Sequence, residues 1–175
     1  MASNFISYTK HGVAESTLLK STKVGHHFNA IADVDIDNGG VCVLGDYVKS
    51  DLFKAEIPKV GEAIHLILTV PKIYEEYTAK MQEESNFYNA AGEEMRLYEV
   101  VKYDRFALSA EAFDEDADLG TNKYVVVTGT GYKLTTTDSA PDMTKYGFVG
   151  HIYKIANNGN YCILVDKNDT VYAAG

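Results

Sequence analysis

Tryptophan is absent from this chain, and 175 residues contain only three prolines and two cysteines. The prolines, Pro58, Pro71 and Pro141, are too scattered to mark a linker or a low-complexity tract. Cys42 and Cys162 have no CxxC spacing, which gives little support to a metal or redox role. Each lies in an apolar run, where a free thiol packs as a small hydrophobe; a bridge between them requires the fold to juxtapose their strands. Basic residues are also scarce. Against 25 Asp and Glu there are 16 Lys and Arg, for a formal charge of −9, and no Lys/Arg block interrupts that excess. Such a surface repels phosphate backbones and argues against nucleic acid as a partner. The longest apolar run, Ala63 to Val70, is broken by His65, ends at Pro71 and is too short to span a bilayer. The start, "MASNFISYTKHG", lacks a signal peptide's basic head and apolar stretch, so a soluble protein without a standard secretory signal is expected.

Tyrosine, in contrast, is abundant at 13, in a background rich in Val and Thr. That composition fits β-structure with amphipathic contact surfaces. Residues 1–28 show no sustained period and read as an extended N-terminal arm, with one short helical turn near Glu15–Leu19. From Phe28, "FNAIADVDIDNGGVCVLGDYV" alternates and then turns apolar, predicting two strands joined by Asp37-Asn38-Gly39-Gly40. Ala63–Val70 is the best central buried strand, and the spacing of Ile73, Tyr77 and Met81 predicts a short helix over 73–84. Further strands are expected over 94–101, 105–108 and 123–128. Hairpins are expected at Gly129–Gly131 and at Asn157-Asn158-Gly159, the latter between strands 148–155 and 160–165. The reading is a mainly β protein, a β-sandwich or small barrel of antiparallel hairpins with one short helix. Residues 1–28 are its arm and 29–175 its single domain.

Chemistry has few footholds. "DVDIDNGG" begins like a calcium loop, with Asp33, Asp35 and Asp37 at alternate positions. It then places Asn38 where the loop's bend wants glycine and Leu44 where a bidentate Glu is needed. A strand with a wet acidic face, entering a turn, accounts for it better. That leaves Asp33, Asp35 and Asp37 as an exposed row for a basic neighbour. The second cluster, Asp114, Glu115, Asp116 and Asp118, reads as a solvated loop ending at Gly120. Among the histidines, adjacent His26 and His27 face opposite sides of a strand, while His65 and His151 lie in apolar strands. No zinc-hydrolase spacing, nucleophile elbow or phosphate-binding glycine loop is present. A hydrolase built from the acidic clusters and His65 or His151 has no motif behind it, so no enzyme, metal or cofactor is expected.

One resemblance does emerge. The segments "NFYNAAGEEMRLYEVVKYDRFALSAEAFD", "NKYVVVTGTGYKLTTTDSAPDMTKYGFVGHIYKI" and "NYCILVDK" resemble, in order, the head decoration (auxiliary capsid) proteins of tailed bacteriophages. The likeness covers about residues 85–168 and consists of strand and turn patterns. It implies a structural virion protein on the outer surface of the capsid, made in the host cytoplasm. Such a protein reinforces contacts between major capsid protein subunits, with copies of itself as further partners and no membrane involved. The resemblance supplies no catalytic residues. A polar arm that orders on a partner surface suits the role. Capsid contacts are therefore expected at Phe5, Tyr8, His11, Leu18, Lys20 and Lys23, and at Tyr74 and Tyr77 in the middle of the chain; Tyr47, Tyr88 and Tyr98 are further candidates. The alternative is a tail-associated or host-glycan-binding β module of the virion.

Overall fold

The computed structural model describes residues 9–71 and 83–172. Within them the chain forms β1 (Ala14–Leu18), α1 (Lys20–Val24), β2 (His27–Ile31), β3 (Ile36–Asp37), β4 (Val41–Lys49), β5 (Leu52–Glu56) and β6 (His65–Ile67). The second half adds β7 (Tyr88–Asn89), β8 (Glu94–Glu99), β9 (Arg105–Leu108), β10 (Tyr124–Val127), β11 (Leu134–Thr137), β12 (Phe148–Ile155) and β13 (Tyr161–Asn168). The expected mainly β class, with one short helix, is what the chain adopts. Of the expected architectures the small barrel is present, beside an open sheet, although one of its strand pairs is parallel. A six-stranded sheet runs β1-β9-β13-β12-β10-β11, and β2-β5-β4-β6-β8 close into a small barrel.

The apolar runs follow from how these layers meet. Successive residues of a strand point to opposite faces, so a run apolar at every position needs burial on both sides. On β4, Val41 joins the core shared with the sheet, where Phe106, Phe148, Ile152 and Ile163 lie, while Cys42 turns into the barrel. On β6, Leu66 and Ile67 divide the same way. The barrel interior is narrow and filled by Ala30, Ala55, Met95 and Leu97, with Phe28 and Leu44 against it.

The C-terminal half matches its local pattern closely. β10 and β11 pair antiparallel, Val127 opposite Leu134, and β12 pairs with β13 across a turn holding Gly159 at φ 87°. Two expectations fail in the first half. Asp37-Asn38-Gly39-Gly40 does not join two paired strands. β2 pairs in parallel with β5 and antiparallel with β8, whereas β3 pairs with β7. Nor is the stretch 14–28 an extended arm. β1 is an edge strand on β9, and β2 is a wall of the barrel. Leu19, between β1 and α1, has no exposed surface, so a boundary at residue 28 would cut through packed structure. The helix expected over 73–84 lies almost wholly outside the described residues; Glu84–Asn86 is a 3₁₀ turn.

Candidate functional site

Four of the expected contact residues, Phe5, Tyr8, Tyr74 and Tyr77, lie outside the described residues. The other four do not form one site. His11 is occupied within the fold: its Nδ1 donates to Asp37 Oδ1 at 2.7 Å, and its ring lies 4.8 Å from that of Tyr88. Leu18, Lys20 and Lys23 are exposed along β1 and α1, joined there by Val24. Helix α1 is only five residues long and has no side-chain cap at its start. What holds it is tertiary: buried Leu19, and a bond from Lys20 N–H to the Asp104 carboxylate at 2.9 Å.

The acidic row also separates. Asp33 and Asp35 are exposed, and Asp35 accepts the Ala91 N–H at 2.8 Å. Asp37 is mostly covered, shared between His11 and Lys133, whose Nζ lies 3.5 Å away. Lys133 also donates to the Glu111 carbonyl, and these groups border a cleft of about 700 Å³ floored by Phe113 and Leu119. Asn38 is buried; it is a clasp, not a ligand-loop residue. Its amide donates to the Thr69 carbonyl and its oxygen accepts the Thr69 N–H, both at 2.9 Å, while Asn89 Nδ2 adds a bond at 3.2 Å. Gly39 follows at φ 85°, with a Cβ there falling 2.8 Å from that of Ala112, so only glycine fits. The motif therefore ties β3 and the chain before β4 to the strand after β6.

The second acidic cluster is a surface loop in which Asp118 pairs with Lys123 at 2.6 Å; Lys123 also meets Asp138. Among the described residues, no three His, Cys, Asp or Glu side chains converge as metal ligands. Both cysteines are free thiols, and burial pushes the Cys42 thiol far above its ordinary pKa, which keeps it protonated and unreactive.

A contact surface with stronger physical grounds lies on the β4–β5 hairpin. Tyr47 is 62% exposed, and Val48, the next residue of β4, 44% exposed. The Tyr47 ring meets Phe53 edge-on at 5.8 Å, Phe53 meets Phe28 at 6.3 Å, and Phe28 meets His65 and His26 at 5.4 and 5.0 Å. This aromatic chain runs from the barrel filling to the hairpin surface, so the exposed Tyr47 ring stands on rigid support. Charged Asp46, Lys49, Asp51 and Lys54 are exposed on the same hairpin. Of these residues the sequence reading named only Tyr47 as a contact. Phe53 and Val48 carried no sign of their role, because exposure at a hairpin tip depends on which strands flank it. Compared with known proteins, the chain matches no family model, no curated protein and no solved structure.

Proposed function

We propose that this protein is a structural component of a bacteriophage virion. It binds the outer surface of the capsid and reinforces contacts between major capsid protein subunits. The observation that carries this reading is the exposed Tyr47 ring, backed by Phe53 and Phe28. A rigid aromatic anchor is a form that protein–protein contacts take, since it buries apolar area with little loss of side-chain entropy. The assignment to capsid decoration rests on the resemblance of segments within residues 85–168 to head decoration proteins. Shell geometry supplies the rest: many identical weak contacts hold together what a single contact would not. A net charge of −9 suits a protein on the side of the shell away from packaged nucleic acid.

The test is to mix the purified protein with expanded heads that lack it, sediment, and locate the bound density by electron microscopy. Saturable binding, in copies commensurate with the capsid subunits, is the expected outcome. Tyr47→Ala combined with Val48→Asp should weaken it by about tenfold or more while leaving the melting temperature nearly unchanged. Density confined to tails, or no binding to heads, would sink the reading.

A further inference from the structure

A second surface, on the outer face of the six-stranded sheet, has no part in the hairpin contact. Tyr124 on β10 lies directly opposite His151 on β12, so both side chains leave the sheet on one face. The intervening residues Val125, Ile152 and Val165 point the other way and are fully buried. Between Val149 and Gly150 the β12–β13 register slips: Val149 faces Lys167 and Gly150 faces Val165, leaving Asp166 as the extra residue of a bulge. Bulges re-aim side chains, and here the carboxylate receives the His151 Nδ1 proton at 2.7 Å. These three side chains line a cleft of about 570 Å³.

Its rim is the unusual part. Tyr103 and Asn122 both line the cleft, and both have left-handed backbone, at φ 72° and 65°. Each is fixed by a backbone bond, Tyr103 N–H to the Val165 carbonyl at 2.9 Å and Asn122 N–H to that of Ile152 at 2.8 Å. Asn tolerates this region; a tyrosine there is strained, and glycine would fit at lower cost. Burial does not compensate, because Tyr103 is 73% exposed and its ring meets the Lys102 ammonium at 5.1 Å in the open. Strain kept without burial points to a use for the ring at that place.

The chemistry of the cleft selects a ligand class. With Nδ1 bonded to Asp166, the His151 ring keeps Nε2 for a ligand. Asp166 keeps a second oxygen, the Asn122 amide both donates and accepts, and Tyr124 and Tyr103 offer aromatic rings with hydroxyl tips, the latter with the Lys102 ammonium 5.1 Å from its centroid. Among the described residues, Lys102 is the only lining side chain of fixed positive charge and is offset by Asp166, so the cleft carries no excess of cations for a phosphate. Alternating donors and acceptors beside aromatic faces complement a ring that is hydroxylated at its edge and apolar on its C–H face. We propose that this cleft binds a neutral saccharide. This function is independent of capsid attachment, and a virion protein so equipped would hold particles at a glycan-coated surface.

The experiment needs no capsids. The intact protein is applied to an array of neutral and acidic glycans, and a neutral glycan it captures is titrated against the ¹⁵N-labelled protein. Expected are amide shifts concentrated at Tyr103, Asn122 and His151. Tyr103→Gly, which suits the backbone there, should fold normally yet weaken binding by about tenfold or more; Tyr47→Ala should bind like wild type. Capture of no neutral glycan, capture of acidic glycans only, or equal binding by Tyr103→Gly would each overturn the proposal.

Discussion

Asn38 joins distant segments of the fold through one side chain. It is buried, and its three hydrogen bonds reach backbone and side chain on two other segments. Asn38→Ala leaves the Thr69 N–H and carbonyl without partners and should cost about 2–4 kcal/mol in a urea titration. If the loss is under about 0.5 kcal/mol, Asn38 is not the clasp described. In the sequence this residue counts only as a failed calcium-loop position. Its burial depends on Thr69 and Asn89, 31 and 51 residues away, which no local pattern records. Tyr103 was equally invisible, since a left-handed backbone at a non-glycine residue has no signature in composition or period.

Elements in the N-terminal quarter behave differently from a detachable arm. β1, α1 and β2 cover Ala14 to Ile31, with β2 bonded on both sides within the barrel. Deleting residues 2–28 should therefore abolish cooperative unfolding rather than yield a folded domain that fails to bind. Circular dichroism melting checks this, and a sharp transition near the wild-type temperature would restore the arm reading. A gentler probe is Leu19→Ala. It removes a fully buried side chain and should destabilise by about 2–5 kcal/mol. Where local pattern succeeded, as in β9 and the β12–β13 hairpin, strand partners are close in sequence or the run stands between clear turns. It failed for β2, whose partners on β5 and β8 are distant and in one case parallel.

At the scale of the whole molecule, stability should depend on pH through His65. Burial lowers its pKa below the ordinary histidine value; the Glu99 carboxylate opposes this, and His26 adds to the lowering. Above about pH 6.5 the side chain is neutral in both folded and unfolded chains, so it costs nothing. As pH falls through that value the unfolded chain takes up the proton first. Stability then declines until the lowered folded pKa is passed. His65→Phe should flatten the fall in melting temperature between about pH 7.5 and 5.5 relative to wild type. Equal slopes in the two proteins would rule out His65 as the source. The His11–Asp37 and His151–Asp166 pairs are present in both proteins and cancel, so the difference reports His65 together with its coupling to Glu99 and His26.

Alternation, turn residues and a composition rich in Tyr, Val and Thr were sufficient to place the chain among mainly β proteins and to locate most strands of its second half. They also removed the calcium reading of Asp33–Leu44, because ligand type at set positions is a local property. Closure of the barrel, the parallel β2–β5 pair, the burial of Leu19 and both surfaces proposed here depend on residues far apart in the chain. Exposure, left-handed backbone and a bulge-directed carboxylate arise when strands acquire neighbours, and those neighbours exist only in the folded molecule.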